Sequence, residues 1–401
     1  MTAVIRVLFL ITDFDRGGAE RLLYQIVRRL SRERFAPQVA CLGGPGYYTE
    51  QYRRLNVPVH HLGLWAPRGI AAAGFPLALA RSVFGLARLL GREHIEVVQT
   101  FLFHANMVGR LAGPLAGTPV VLGAVHTVEP RHWHTLLDGL TFPLGSGEVC
   151  VSEAVREFQA QRAKLPLRSL FVIPNGVDAA DFSLPAAPFE RGTQESLTRR
   201  RHARAILGLP PADPVFAFVG RLCEAKALPD LLSAFSIVAA RQERAVLAIA
   251  GDGPLAPQLR AMVHGMALEG RVRLVGWLDD PGVLYSAADC FVLSSKTEGM
   301  PVAALEAMAA GLPLVTTDVA GCIELMVPGE TGLLFRQGDV GGLASGMLSV
   351  LKEPDQAAQM GRQARERALG RFNLDRMVRR YEALYGKLLS AAYTLKGPRR
   401  S

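Results

Sequence analysis

Two glutamates eight positions apart, Glu298 and Glu306, stand in the part of this 401-residue chain best equipped for chemistry. The run is Ser294-Ser295-Lys296-Thr297-Glu298-Gly299-Met300-Pro301, followed by Val302-Ala303-Ala304-Leu305-Glu306-Ala307-Met308-Ala309-Ala310-Gly311. An apolar strand ends, a short loop turns, and a helix opens near Pro301, a favoured first-turn residue. Gly311 reads as its C-terminal cap. Glu306 lies inside that helix among Ala, Leu and Met, so its carboxylate is expected to be at least partly buried. Burial is costly unless hydrogen bonds or an opposite charge compensate. Adjacent hydroxyls such as those of a ribose would supply two donors; an arginine of the same domain is the structural alternative. The backbone N–H groups around Gly299 and Met300 could hold phosphate.

Three other loops have similar character. In Val219-Gly220-Arg221-Leu222-Cys223-Glu224-Ala225-Lys226, two cations five residues apart follow an apolar strand. Both can face a diphosphate and stabilise the charge that grows on it as it leaves; otherwise they are solvated surface cations. Gly17-Gly18-Ala19-Glu20 follows the first strand and opens a helix, where free N–H groups and the helix dipole favour an anion. Two glycines there also simply make a turn. His126 ends the strand Pro119–Val125 and is a hydrogen-bond or acid/base candidate. His60, His61, His132 and His134 show no metal-ligand spacing, so no metal site is expected. The chain lacks GxGxxG after a strand, GxxxxGK[ST] and GxSxG, which argues against dehydrogenase, P-loop and α/β-hydrolase chemistry.

The elements that must carry these loops alternate. Strands are expected at Val4–Ile11, Val97–Thr100, Pro119–Val125 and Glu148–Ser152, with another ending at Ile173. Helical periods fall between them, at Gly18–Leu30 and Asn106–Leu115. After the turn Pro174-Asn175-Gly176, residues 181–203 read as a linker or surface excursion, with Arg199-Arg200-Arg201 as a solvated face. The series restarts with strands at Val215–Val219, Ala245–Ala250, Val272–Val275, Cys290–Leu293 and Leu314–Thr317, and helices at Pro229–Ala240 and Pro301–Ala310. Apolar strands alternating with helices predict parallel sheets covered on both faces. Two such series predict two doubly wound Rossmann-like domains, with ligands at the carboxyl ends of their strands and in the cleft between facing domains. The final helix, Leu374 to about Ala392, carries Met377, Tyr381, Leu384 and Leu388 on one face; its periodicity does not say which domain it covers.

Composition bounds the partners. With 49% hydrophobic and 20% charged residues the chain suits two folded domains. Its formal net charge of +9 favours anionic partners. Nothing resembles a nucleic-acid-binding signature. Cys41, Cys150, Cys223, Cys290 and Cys322 are scattered without CxxC spacing and read as free, mostly buried thiols of a reducing compartment. The apolar opening is followed at once by Asp13 and Asp15 and reads as a buried strand rather than a leader. Gly69–Leu90 contains Arg81, Arg88 and Pro76 and falls short of a span of about 20 apolar residues. It reads as a packed helix, with a membrane-surface patch as the alternative.

Taken in order, these stations resemble glycosyltransferase family 4 over nearly the whole chain. The matching residues are GGAE at 17–20, Val125-His126-Thr127, Val149-Cys150-Val151-Ser152, Ile173-Pro174-Asn175-Gly176-Val177-Asp178, GRL with Lys226, GDGP at 251–254, and the Glu298–Glu306 segment with EAMAAGLP at 306–313. The resemblance implies a GT-B fold. Its N-terminal domain would span residues 1–185, a linker 186–212 and a donor-binding domain 213–373, with the last helix crossing back to the first domain. It implies a retaining enzyme that uses a UDP- or GDP-sugar and a saccharide or lipid-linked acceptor in surface polysaccharide or glycolipid synthesis; with Arg221, Lys226 and helix-terminal amides to stabilise the leaving charge, no metal and no cofactor are expected. It would be cytoplasmic, with a peripheral position on the anionic inner face of the plasma membrane as a further expectation. Glu306 would bind ribose, Arg221 and Lys226 the diphosphate, and Glu298 would lie near the donor sugar with Gly299 and Met300. His126, Gly17 and Gly18 would approach from the first domain, and Val275-Gly276-Trp277 would lie near the base. The family often has Lys-Gly where this chain has Lys226-Ala227; a small effect is expected. The insertion near 186–204 has no role in the family pattern. A sugar-nucleotide 2-epimerase and a non-catalytic sugar-nucleotide-binding protein are the alternatives.

Overall fold

The computed structural model describes residues 4–63, 75–127, 132–178, 180 and 194–396. The chain divides into two compact units, Met1–Asn175 with Leu374–Ser401, and Gly176–Asn373.

In the first unit, strands β1 (Ile5–Ile11), β2 (Phe35–Cys41), β3 (Val59–His61), β4 (Val97–Thr100), β5 (Val120–Val125), β6 (Gly147–Cys150) and β7 (Leu170–Val172) form a parallel sheet of order β3-β2-β1-β4-β5-β6-β7. Helices α1 (Gly18–Arg29), α2 (Tyr47–Arg54), α3 (Phe75–Arg92), α4 (Phe103–Ala116), α5 (His132–Thr141) and α6 (Glu153–Arg162) connect or flank them. Successive side chains of a strand point to opposite faces. Val7, Phe9 and Ile11 of β1 therefore meet α1 on one side, while Leu8 and Leu10 meet α3 and α4 on the other. Both faces are buried, which is why β1 is an unbroken apolar run instead of an alternating one.

The second unit repeats the plan. Helix α7 (Gln194–Ile206) precedes strands β8 (Val215–Val219), β9 (Val246–Ala250), β10 (Val272–Gly276), β11 (Cys290–Leu293), β12 (Leu314–Thr317) and β13 (Gly332–Phe335), in parallel order β10-β9-β8-β11-β12-β13. The helices are α8 (Leu228–Arg241), α9 (Ala256–Gly265), α10 (Gly282–Ala287), α11 (Val302–Ala309), α12 (Ala320–Leu325), α13 (Val340–Lys352) and α14 (Pro354–Arg371). In each sheet the strand order reverses once, between β1 and β4 and between β8 and β11. Ligands of doubly wound sheets bind at such reversals, outside the carboxyl ends of the strands.

The last helix, α15 (Leu374–Lys396), belongs to the first unit. Met377, Val378, Tyr381 and Tyr385 join the core of β1 and α1. Polar contacts fix its register: Tyr385 Oη donates to Gln99 Oε1 at 3.3 Å, and Glu382 accepts from the Ser31 backbone N–H at 2.8 Å. Beside the two chain crossings, Val177 N–H donates to the Phe372 carbonyl at 2.8 Å.

A buried polar knot holds α4, α5, β6 and α6 together. Arg110 pairs with Asp138 at 2.6 Å and with Glu148, while Gln159 donates to Asp138 at 2.8 Å and to Glu148 at 3.0 Å. Burial pushes the Glu148 carboxyl up to about 7, against the pull of Arg110.

The structure corrects the reading of the linker. Residues 181–193 lie outside the described residues, as does much of the expected insertion, but from Gln194 the chain is helical. Its arginines are not all a solvated face. Arg200 pairs with Asp289 at 2.6 Å, and the fully buried Arg204 reaches Asp289 at 3.0 Å and the Ala287 and Pro210 carbonyls. Asp289 also accepts the Val215 N–H at 2.9 Å. One carboxylate thus docks α7 onto the starts of β8 and β11. Removing it leaves a buried cation unpaired, a loss that typically costs about 3–5 kcal/mol. Asp289→Ala should destabilise the second unit by about that much in denaturant unfolding; a loss below about 1 kcal/mol would show that α7 is not anchored this way.

Candidate active site

The loops that follow β8 and β11 meet at the reversal of the second sheet. Ser294 Oγ donates to the Lys226 carbonyl at 2.8 Å, and Lys296 N–H donates to the Ala225 carbonyl at 2.8 Å. Across this backbone joint the Lys226 ammonium pairs with Glu298 Oε1. The same oxygen accepts from Ser295 Oγ at 2.6 Å. Ser295 is held in turn, since its carbonyl accepts from Thr317 Oγ1 at 2.7 Å. Glu298 is nearly buried, and Lys226 keeps a fifth of its side chain exposed. Arg221, on the same loop as Lys226, is exposed, and its guanidinium makes no hydrogen bond or ion pair among the described residues.

Close backbone approaches shape this loop. Gly251 has φ +138°, and a Cβ there would lie 1.9 Å from the Gly220 carbonyl oxygen. Leu222 N–H donates to the Asp252 carbonyl at 2.9 Å, and Gly251 N–H to the Gly276 carbonyl at 2.8 Å. The GDGP turn is therefore a support for the Arg221 loop. It also ties in Gly276, beside which Trp277 stands partly exposed with its indole N–H on Asp279 at 2.9 Å.

Ala227 stands at the start of a helix, but in a conformation that its side chain resists. It is the N-cap of α8 at φ +45°, ψ 42°, in the left-handed region, with its methyl group buried. Side-chain-bearing residues pay roughly 1–2 kcal/mol there, which glycine avoids. The substitution thus places local strain beside Lys226.

Pro301 caps α11 with extended geometry, and Gly311, at φ +78°, ends it. Glu306 projects inside the unit and is nearly buried; its Oε2 accepts from Tyr285 Oη at 2.9 Å. Tyr285, on α10, was not singled out in the sequence, where it sits inconspicuously in Gly282-Val283-Leu284-Tyr285-Ser286-Ala287. Met300 is buried. The Glu298–Gly299 backbone packs on α12: Gly321 N–H donates to the Glu298 carbonyl at 3.2 Å, and a Cβ on Gly321 would fall 2.6 Å from the Gly299 oxygen. Cys322 beneath it is buried, and burial, reinforced by the charge of Glu298, pushes its thiol up to about 12. All five cysteines are free, and only Cys223, between Arg221 and Lys226, is not fully buried.

The remaining candidates belong to the first unit, at the carboxyl ends of β1 and β5. Gly17 caps α1 in an extended conformation open to any residue, but a Cβ would fall 2.0 Å from Glu20 Oε2. The carboxylate of Glu20, at the third helical position, folds back over the cap. No described atom lies within 4 Å of the place a Cβ would take on Gly18, so that side of the loop is open. His126 stacks on Phe101 with ring centroids 5.4 Å apart, and its Nε2 is enclosed without a hydrogen-bond partner among the described residues. Burial lowers its pKa from 6.5 to about 4. It is therefore a neutral imidazole near pH 7, suited to hydrogen bonding and unsuited to acting as a cationic acid. Next to Phe101, Leu102 has φ +73° and ψ 156°, a strained conformation of the kind that gathers at functional sites. His61 and His60 are engaged locally, with Cys41 Sγ at 3.3 Å and Gln38 at 2.7 Å.

Two doubly wound parallel units with loops of this kind at their strand ends define the GT-B class of nucleotide-dependent folds. The chain belongs to the group 1 and family 4 glycosyltransferases: the model for Glycosyltransferase Family 4 matches residues 16–181 and that for Glycosyl transferases group 1 matches residues 199–367. It is 26% identical to the UDP-Gal:alpha-D-GlcNAc-diphosphoundecaprenol alpha-1,3-galactosyltransferase of Escherichia coli, over 92% of this chain and 93% of that one. It is 29% identical to the alpha-maltose-1-phosphate synthase of Mycolicibacterium smegmatis, over 90% of this chain and 99% of that one. The structure of Anabaena HepE in complex with UDP-glucose has the same fold, with a TM-score of 0.79 and 20% identity over 96% of this chain and all of that one. The chain is a glycosyltransferase.

The depressed His126 pKa carries a sign. Above pH 6.5 both folded and unfolded chains hold this ring neutral, so it contributes no pH dependence. Between 6.5 and about 4 the unfolded chain binds the proton first, and stability falls as pH falls. His126→Gln should flatten this part of the stability profile. An NMR titration giving His126 a pKa near 6.5 in the folded chain would contradict the assignment.

Proposed function

We propose that this glycosyltransferase moves a hexosyl group, with retention and without a metal ion or cofactor, from a nucleoside diphosphate sugar to a saccharide or lipid-linked saccharide. The observation that carries the reading is the Lys226–Glu298 pair at the reversal of the second sheet, with Arg221 exposed on the same loop. Two cations there suit a diphosphate. The E. coli relative, named for UDP-Gal and a diphosphoundecaprenol-linked acceptor, supports UDP over GDP as the nucleotide and a lipid-linked acceptor in surface polysaccharide or glycolipid synthesis. A peripheral position on an anionic membrane surface is part of this reading.

The roles follow from the chemistry of each group. The bond between the anomeric carbon and the phosphate oxygen breaks with its electron pair going to phosphate. Arg221, Lys226 and the loop amides near Gly299 and Met300 stabilise that charge, the largest catalytic contribution expected of a fixed site. The acceptor hydroxyl attacks the anomeric carbon from the face the phosphate leaves, and its proton passes to the departing phosphate oxygen. Glu298 serves as a positioning and charge-steadying group: a carboxylate already held by an ammonium and a hydroxyl is a poor nucleophile. Glu306, oriented by Tyr285, accepts the ribose hydroxyls. The neutral His126 and the open Gly17-Gly18 loop are assigned to hydrogen bonding and close backbone approach to a sugar.

Substitutions separate these roles. Arg221→Ala and Lys226→Ala should each lower kcat/KM by about 2–4 kcal/mol of transition-state stabilisation. Lys226→Ala should also lower stability, because it strips Glu298 of its cation, whereas Arg221→Ala should not. Glu306→Ala should chiefly weaken UDP binding, and Tyr285→Phe should do so more mildly. Unchanged affinity and turnover in all of these would remove the site assignment. The anomeric configuration of the product, read by NMR, should match that of the donor; inversion would rule out the front-face mechanism. Activity should survive chelator, and complete loss would overturn the metal-free part of the reading.

A further inference from the structure

Five of the large apolar side chains that the first unit leaves in solvent, Leu77, Phe84, Trp133, Leu136 and Leu140, lie on α3 and α5. On α3, Leu77, Arg81, Phe84 and Arg88 follow i, i+4, i+7, i+11 spacing and share one narrow outward stripe. Leu77 is 59% and Phe84 67% exposed. The opposite face, with Val83, Leu86 and Leu90, is in the core against Leu8 and Leu10. The helix thus has its packing satisfied and still presents apolar groups outward. The periodicity read in the sequence as a packed helix accounts for only one of its two faces; residues 69–74 of that segment lie outside the described residues.

Helix α5 behaves likewise. His134 and Asp138 turn inward, Asp138 onto Arg110, while Trp133, Leu136 and Leu140 turn outward, the two leucines about two-thirds exposed. Both helices flank α4.

The charge on this helical layer has one sign. Helix α3 holds three arginines and no acid, α4 a single arginine that is buried, and α5 a single acid, Asp138, that is buried on it. The exposed ionised groups of the three helices are therefore cationic. Arg92 at the end of α3 is paired with Glu93, but Arg81 and Arg88 make no ion pair among the described residues. An apolar stripe interleaved with arginine on α3, with an outward tryptophan on α5, has the composition of a surface lying in the boundary between lipid headgroups and acyl chains. No helix among the described residues is long and apolar enough to cross a membrane, so the geometry is that of a surface seat.

We propose that the outward faces of α3 and α5 seat this chain on an anionic bilayer, with Phe84, Trp133 and Leu140 in the headgroup–acyl boundary and Arg81 and Arg88 on lipid phosphates. This deepens the peripheral-membrane part of the functional reading and rests on it, but it draws on none of the donor-site residues. A protein partner on the same faces would lack an evident reason for arginines spaced along an apolar stripe on helices that hold no exposed acid of their own.

Flotation of the full chain with phosphatidylglycerol–phosphatidylcholine vesicles, compared with phosphatidylcholine alone, tests it. Binding should require the anionic lipid and weaken with salt. Arg81→Glu with Arg88→Glu should weaken it at least roughly 30-fold, from the attraction typical of two basic residues near an anionic surface. Leu140→Asp should weaken it roughly tenfold or more, with thermal melting unchanged in both variants because all three side chains are exposed. Equal flotation of the variants and the parent, or none by the parent, overturns the proposal. So does sedimentation showing a dimer that Leu140→Asp dissolves, which would assign the face to a protein contact. UDP binding by calorimetry on the same samples keeps the two readings apart. Retained UDP binding without flotation rejects only the membrane seat, and flotation without UDP binding rejects only the donor site.

Discussion

The contact on which the proposed donor site rests is the ion pair between Lys226 and Glu298. It spans 72 positions of sequence and joins the two loops that diverge at the sheet reversal. A nearly buried carboxylate without a partner is costly, and a lysine on a free loop would sample many rotamers. Paired, and with Ser295 sharing the carboxylate, each fixes the other before any ligand arrives. Such preorganisation lowers the reorganisation needed when charge develops. The serine–backbone joint beneath the pair and the close approach of Gly251 to Gly220 make the joint stiff enough to hold it. The left-handed Ala227 shows that the loop keeps its course even where its own residue type resists it.

Much of this frame was legible in the sequence for a simple reason. Parallel strands buried on both faces are apolar runs, so β8, β11 and β12 stand out with their boundaries intact. Strand β2 does not, because Phe35-Ala36-Pro37-Gln38 mixes a proline and polar groups into a strand near the sheet edge. Strand β3 is too short to leave a pattern. Helix α7 was hidden by its composition. Three consecutive arginines read as solvated, and only the fold reveals that Arg200 and Arg204, one turn apart, meet a single carboxylate.

The candidate site could be read as a set of loops but not as a set of pairs. Glu306 announces itself as an acid in an apolar helix, but nothing local points to Tyr285 as its partner. Arg110, Asp138, Glu148 and Gln159 are scattered through the chain and become one knot only when α4, α5, β6 and α6 come together. Partnerships between distant polar residues carry no periodicity, so spacing rules miss them. His126 illustrates the complementary loss: its place after a strand was plain, while the enclosure that keeps it neutral comes from neighbours such as Phe101.

The arrangement of the thiols has a practical side. Four cysteines are sealed in the cores, and the fifth, Cys223, stands half-buried between the two cations of the Arg221–Lys226 loop. The native chain thus carries a built-in attachment point for a small fluorophore or spin label, without removal of competing cysteines. A label there would sit on the loop itself and report its occupancy as a spectroscopic signal, independently of any acceptor.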